Sequence, residues 1–326
     1  MATSKSITLL FLGLLAWLGI HMSGVAASPG LTLEPIQVSA RVYYFQGQAG
    51  MASKQNRGFM SNAGFVVTND GVVVFDALAT PVLGDAMLSA IKRVTSQPVK
   101  RVIISHYHAD HFYGAQALKA QGAEVWAHEN GQSSLRSDAA TARLEERRAS
   151  LSPWVNAETR LIAADRWLHF PETKQITFDM GGVHFRLLDS SGAHTGEDIM
   201  LYVDGDRVLF AGDLFFTGRL PFVGEANSKM WLETLNRMLD VEPAVVVPGH
   251  GEASRRPLDD MKLTRDYLDF LRQEMGKAVS ELLPFEEAYR KVDWSRFEKY
   301  PAFQQANRIN AYGTYLLMEK ESFGKE

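Results

Sequence analysis

Four potential metal ligands lie within six residues of one segment, His106-Tyr107-His108-Ala109-Asp110-His111. Imidazole nitrogens and carboxylate oxygens bind divalent ions such as zinc. Residues two apart on an extended chain point the same way, so His106 and His108 are expected to face one ion. Asp110 and His111 follow where the chain turns into a helix. We expect these two side chains to face a second ion.

Three further candidate ligands, His194, Asp213 and His250, each follow a predicted strand and have glycine neighbours. Glycine lets the backbone approach a metal closely. Ligand sites in α/β proteins lie at the carboxyl ends of strands, which is where these residues are placed. The sequence therefore predicts one metal centre with seven ligands.

The chemistry of such a centre is hydrolysis. A water that bridges two zinc ions loses its proton near neutral pH, and the resulting hydroxide can attack a carbonyl carbon. Asp110 is the predicted catalytic residue, which orients the hydroxide and passes a proton to the leaving group. Phe216 and Arg219 are candidate substrate contacts, as an apolar wall and an anion clamp. The alternative is a core aromatic and a solvated or salt-bridged arginine.

Composition excludes several classes of protein. The chain has 326 residues, of which 46% are hydrophobic, and 34 basic residues against 38 acidic ones give a net charge of −4. Such a chain can form a large core, and it has no basic excess that would attract nucleic acid. Cysteine is absent, which excludes disulfides and thiolate ligands. The predicted partner is a small-molecule substrate.

The elements that must position these ligands alternate between strands and helices from Arg41 onward, which predicts the α/β class. Asn62 and Asp76 lie near predicted strand ends, and we assign them supporting structural roles. After Pro257 the periodicity is helical throughout. Its last stretch has apolar residues at helical spacing, namely Ala306, Ile309, Tyr312, Leu316 and Leu317. This helical extension either packs on the domain or forms a homodimer.

The first residues have the pattern of a secretory signal peptide. Lys5 precedes an apolar stretch from Ile7 to Ile20, and Val25-Ala26-Ala27 is a small-x-small cleavage site. The stretch is shorter than the about 20 residues of a spanning helix, so no stable membrane anchor is expected. We predict a signal peptide at 1–27, a catalytic domain at 28–254 and a helical extension at 255–326. The mature protein would be periplasmic or secreted.

The His-x-His-x-Asp-His motif, followed in order by His194, Asp213 and His250, resembles the metallo-β-lactamase superfamily over roughly Arg41 to Gly251. The resemblance implies a four-layered αββα sandwich with two zinc ions per chain. His106, His108 and His194 would hold one ion. Asp110, His111 and His250 would hold the other, and Asp213 would bridge them.

Within the superfamily, the segments 212–219 and 248–251, followed by a helical tail, are most similar to periplasmic quinoprotein-relay or sulfur-oxidation-associated zinc metallohydrolases. The implied activity is hydrolysis of an ester, thioester, lactone or lactam. One alternative is a mononuclear iron persulfide dioxygenase-like enzyme. Another is a non-catalytic metal-binding accessory protein of a periplasmic redox system.

Overall fold

The computed structural model of the protein describes residues 31–324. Its strands are β1 (Ile36–Gln37), β2 (Val42–Phe45), β3 (Ala63–Thr68), β4 (Gly71–Phe75), β5 (Val99–Ile103), β6 (Glu124–His128), β7 (Arg166–Leu168), β8 (Gln175–Met180), β9 (Val183–Asp189), β10 (Ile199–Val203), β11 (Val208–Phe210) and β12 (Val245–Val247). Its α-helices are α1 (Pro81–Val94), α2 (Ala109–Phe112), α3 (Ala115–Ala120), α4 (Gly131–Arg136), α5 (Asp138–Ser150), α6 (Ser228–Arg237), α7 (Pro257–Asp260), α8 (Lys262–Ser280), α9 (Phe285–Lys291) and α10 (Phe303–Phe323).

The strands form two sheets. In the first, β1 to β7 lie in sequence order, antiparallel from β1 to β4 and parallel from β4 to β7. In the second, the order is β12-β11-β10-β9-β8, and only β11 and β12 pair in parallel. Each connection between parallel neighbours in the first sheet contains at least one helix, as such pairing requires.

Strand β4 shows why the two sheets stack. Val73 and Phe75 point into a core shared with the second sheet, and Val72 and Val74 point into a second core lined by α1 and α3. A strand buried on both faces has a continuous apolar run instead of alternation, which is what Val72 to Phe75 shows.

Helices cover the outer face of each sheet, so the order of layers is αββα, as predicted. Helix α1 begins at Pro81, where the Thr80 side chain accepts a hydrogen bond from the Leu83 amide, and it packs on the first sheet. Trp231 of α6 and Leu268 of α8 lie in the core on the second sheet. Elements after Ser254 are helical through residue 323, as predicted for the extension.

Of the apolar residues predicted at helical spacing on α10, Ala306 is buried and Leu317 is half-buried, while the other three face solvent. Ile309, Tyr312 and Leu316 are exposed, while Asn307 and Asn310 on the opposite side are buried. These two asparagines find hydrogen-bond partners inside the core, and that outweighs the apolar character of the other face. The short edge strands β1 and β7 carried no strand signal in the sequence. Strand β8 was missed although Ile176, Phe178 and Met180 alternate with polar residues.

The predicted signal peptide at 1–27 lies outside the described residues. Within residues 31–324, none of the helices is long and apolar enough to cross a membrane.

We predict that Gly64→Ala destabilises the sandwich, because Gly64 of β3 faces Phe210 of the second sheet. A Cβ there would lie 2.1 Å from Phe210 Cε1. Overpacking of this kind costs about 1–3 kcal/mol in the free energy of unfolding, measured by urea denaturation. Gly205→Ala is the matched control, because its Cβ would have no neighbour within 4 Å. Equal stability of the two variants would contradict this account of the sheet packing.

Candidate metal centre

The seven predicted ligands all follow strands. His106 and His108 come directly after β5, and Asp110 and His111 lie on α2. His194, Asp213 and His250 follow β9, β11 and β12. The ends of strands from both sheets therefore supply the candidate ligands.

A glycine at position 249 lets the end of β12 lie close to the turn that carries Asp213. Gly249 lies against the 3₁₀ turn Gly212–Leu214, and a Cβ on it would be 2.1 Å from Asp213 Oδ1. Its amide donates to the carbonyl of Gly212 at 2.7 Å. The β12 end can therefore bring His250 up to Asp213 only with glycine at position 249.

The structure brings all seven side chains together as two groups. Their potential ligand atoms lie within 4.8 Å of one another inside each group. The first group is His106, His108, His194 and Asp213, and the second is Asp110, His111 and His250. The resemblance implied the same two sets of histidines with Asp213 bridging them, and the binding of an ion by these residues stays a prediction.

In the first group, two imidazole nitrogens contact each other and a third has no hydrogen-bond partner among the described residues. His108 Nδ1 and His194 Nε2 lie 3.1 Å apart, and His106 Nε2 is buried without a hydrogen-bond partner in the described part of the chain. Nitrogens at this separation are spaced like two ligands of one zinc ion at about 2.0–2.1 Å from each.

Asp213 lies between the two groups. Its Oδ1 is 3.0 Å from His111 Nε2 and 3.3 Å from His250 Nε2, and its Oδ2 is 3.6 Å from His194 Nε2. One carboxylate thus directs one oxygen toward each group. That is the geometry of a bridging ligand.

A second layer of hydrogen bonds fixes the imidazoles of both groups. Asp76 Oδ2 lies 2.8 Å from His111 Nδ1 and accepts a hydrogen bond from Ser105 Oγ. Ser105 Oγ, having donated its hydrogen to Asp76, accepts from His106 Nδ1 at 2.9 Å. Both rings therefore carry a proton on Nδ1, and Nε2 is the atom that each ring directs toward the centre.

A different partner fixes the ring of His250 so that its Nε2 also points toward the other candidate ligands. Its Nδ1 donates to the Met60 carbonyl at 2.7 Å, which leaves Nε2 toward Asp110 and Asp213. Phe216 stacks on its ring with centroids 5.2 Å apart. Arg219 Nη1 lies 3.3 Å from Nδ1 and donates to the carbonyl of Gly50 at 3.0 Å.

The two candidate substrate contacts therefore lie behind His250 as seen from the ligand atoms. Phe216 is fully buried, and Arg219 is only 3% exposed. Their role as substrate contacts stays a prediction, and what the structure gives them is direct contact with a candidate ligand.

The two groups differ in the direction in which the pKa values of their histidines are shifted. Burial lowers the pKa of His108 to about 3 and that of His194 to about 4, so both are neutral at pH 7. Burial also lowers the pKa of His106, with further lowering from His111. The first group therefore offers three neutral imidazoles without first losing protons.

The second group holds protons instead. Burial alone would lower the pKa of His111, but Asp213 and Asp110 raise it well above its usual value. His250 is shifted the same way by Asp213 and Asp110 against the effect of burial. Burial would raise the pKa of Asp110, but His111 and His250 hold it below its usual value. A cation at this group would replace these protons as the counter-charge.

The donor set fits a pair of divalent ions. Nε2 of His106 and of His111 and Oδ1 of Asp213 are buried without a geometric hydrogen bond among residues 31–324, although the last two lie 3.0 Å from each other. Buried polar atoms are normally paired, so three orphaned atoms around one point indicate a missing partner. Imidazole nitrogens and carboxylate oxygens suit zinc, and thiolates are absent from the chain.

The sequence profile of the Metallo-beta-lactamase superfamily matches residues 56–250, from the loop before β3 to the last predicted ligand. The chain belongs to the metallo-beta-lactamase superfamily.

Individual members of the superfamily show the same likeness. A linear primary-alkylsulfatase from Pseudomonas sp. is 22% identical over 259 residues, which cover 68% of this chain and 48% of that protein. The solved inverting sec-alkylsulfatase from Pseudomonas sp. has a TM-score of 0.67 at 18% identity and covers 87% of this chain and 50% of its own. The metallo-beta-lactamase from Pontibacter korlensis has a TM-score of 0.55 at 22% identity, with 73% and 99% covered.

Sequence reasoning underestimated the hydrogen bonds that surround this candidate metal centre. Asp76 was assigned only a structural role, yet it contacts His111 directly and His106 through Ser105. Its place at the end of the buried strand β4 was the available signal, because buried carboxylates require partners.

Asp76→Asn should lower metal affinity by about 10- to 100-fold, because an amide accepts the His111 proton less strongly than a carboxylate. The measurement is a competition titration with a zinc chelator. Asp70→Asn, an exposed carboxylate at the β3–β4 turn, should leave the affinity unchanged. An unchanged affinity in Asp76→Asn would show that the ring of His111 is oriented by other contacts.

Asp213→Ala should remove the shared ligand and reduce bound zinc from two ions per chain to one or none, as measured by plasma emission spectrometry of dialysed protein. Its hydrolytic turnover should fall in parallel. Retained turnover in a metal-stripped Asp213→Ala protein would contradict the assignment of this centre.

Proposed function

We propose that the protein is an exported dinuclear zinc hydrolase that cleaves an ester, thioester, lactone or lactam carbonyl of a small molecule. The observation that carries this proposal is the Asp213 carboxylate between two groups of ligand atoms. A shared carboxylate supports two ions held together. When bound, two such ions supply Lewis acidity and lower the pKa of a bound water to about 7.

Asp110 is the residue that we assign to proton transfer. Its side chain is 20% exposed, whereas His111 beside it is fully buried. His111 and His250 keep its pKa low against the effect of burial, so it is a carboxylate at neutral pH. Oδ2 of Asp110 can therefore accept a proton from the attacking water and return it to the leaving group.

The open side of the centre indicates where a substrate enters. Of the seven ligands, His108 and Asp110 are half-buried and the other five are buried. A substrate that approaches past these two side chains places its scissile bond within reach of Asp110. The ligands from β11 and β12 then lie at the floor of the site.

Hydrolysis of a sulfate ester is the second candidate. The solved alkylsulfatase covers 87% of this chain, whereas the metallo-beta-lactamase from Pontibacter korlensis covers 73%. The larger share favours an alkylsulfatase-like substrate. The chain spans about half the length of these alkylsulfatases, so any shared activity resides in the shared half.

A substrate panel with zinc-loaded protein tests the proposal. Chromogenic lactams, thioesters, lactones, phosphodiesters and alkyl sulfates are compared by kcat/KM. We expect turnover of carbonyl substrates and at least a 100-fold loss in Asp110→Asn, which keeps the shape but not the base. Asp179→Asn, whose exposed side chain lies outside both ligand groups, is the control.

Metal analysis of the same preparation separates the remaining alternatives. Two zinc ions per chain support the hydrolase. One iron ion with persulfide consumption would support the dioxygenase-like enzyme. Folded protein that binds no metal would overturn both.

Export is a separate part of the proposal and rests on residues 1–27. Fractionation of bacteria that express the full chain should recover it in the periplasm or medium, with its N-terminus near Ser28. Retention of the uncleaved chain in the cytoplasm would contradict export.

A further inference from the structure

One segment connects the two halves of the metal centre, and we call residues 217–227 the bridging segment. Phe216, just before it, stacks on the ring of His250. At its other end, the amide of Asn227 donates to the carbonyl of Ala193 at 3.0 Å, next to His194. The segment thus begins at the second ligand group and ends at the first.

The bridging segment also carries two large side chains, one of which contacts a candidate ligand. Arg219 contacts His250, and its positive charge acts on Asp213 and Asp110. Phe222 is half-buried between buried neighbours. A shift of this segment would move both side chains relative to the ligands.

The middle of the bridging segment is held by Asn310 of α10, in the helical extension. The fully buried Asn310 accepts hydrogen bonds through Oδ1 from the amides of Val223 at 2.7 Å and Gly224 at 3.2 Å. Its Nδ2 donates to the carbonyl of Pro221 at 2.9 Å and to Tyr267 Oη at 3.1 Å. One amide therefore satisfies three backbone groups of the segment, and a carboxylate or an apolar side chain could not.

Close packing supports the same attachment. A Cβ on Gly313, one turn after Asn310, would lie 1.7 Å from the carbonyl oxygen of Gly224. The amide of Leu220 donates to the carbonyl of Pro301 at 3.2 Å, which also lies in the extension. The position of the segment's middle is therefore set by the extension.

We propose that Asn310 is a positioning residue for the hydrolytic reaction, which it serves by fixing the bridging segment against the metal centre. This inference rests on the proposed hydrolase function. It assigns the helical extension a part in substrate placement in addition to packing. A misplacement of about 1 Å far from the chemistry can cost about 100-fold in rate.

Two variants and a matched control test the proposal. Asn310→Ala removes the hydrogen bonds, and Gly313→Ala keeps the Asn310 amide but displaces Gly224 from it. Asn307→Ala is the control, because Asn307 lies on the same helix and is buried, but it bonds Tyr267 Oη and Tyr289 Oη and not the bridging segment. The readouts are amide hydrogen exchange at residues 217–227, zinc content, kcat and KM.

We expect Asn310→Ala and Gly313→Ala to show faster exchange at Val223 and Gly224. Zinc content should be unchanged, and KM should rise by about 10- to 100-fold. Asn307→Ala should keep wild-type exchange in the segment and wild-type KM. Unchanged exchange, or the same rise in KM in Asn307→Ala, would overturn the proposal.

Hydrogen exchange needs no substrate, so it separates this inference from the proposed function. A wild-type protein that is inactive on the whole panel would refute the hydrolase, and exchange would still decide whether Asn310 holds the segment. If Asn310→Ala does not fold, the exchange rates and KM of Gly313→Ala alone test whether the extension fixes the segment.

Discussion

The burial of ionisable side chains around a single point is the constraint on which this structure depends. Five imidazoles and two carboxylates contact one another where solvent reaches only the edge. Unpaired buried charges cost several kcal/mol each, so the carboxylates need cations beside them. Protonated His111 and His250 can serve, and two metal ions would serve both groups.

The αββα sandwich makes such a concentration of polar groups possible. Strands β11 and β12 and the last two residues of β5 are buried, and these strands end at one edge with the candidate ligands a few residues beyond. The apolar layers between sheet and helices keep those ends fixed. Polar residues can then be placed where the sheet stops, and the core beneath them stays apolar. The fold therefore separates the stabilising core from the reactive edge.

The sequence allowed this much to be predicted because its signals were local or repeated. The His106 to His111 motif lies within one short segment, and the later ligands each end a strand, so their convergence followed from the rule for strand ends. The α/β class followed from the alternation of strands and helices, and the layer order followed from the resemblance to the superfamily. Asp76 and Asn310 carry no such signal, since their importance arises from partners that lie 35 and about 87 residues away.

The same reasoning explains why the buried face of α10 was not evident from the sequence. Periodicity assumes that the apolar side of a helix is the buried one. On α10 the buried side contains Asn307 and Asn310, which are satisfied by groups from other elements, while Ile309 and Leu316 face outward. A buried asparagine is energetically acceptable only with all its hydrogen bonds made. The backbone of the bridging segment supplies three of the hydrogen bonds of Asn310, and tyrosines supply those of Asn307. The extension is therefore tied by polar contacts to the segment that connects the two ligand groups.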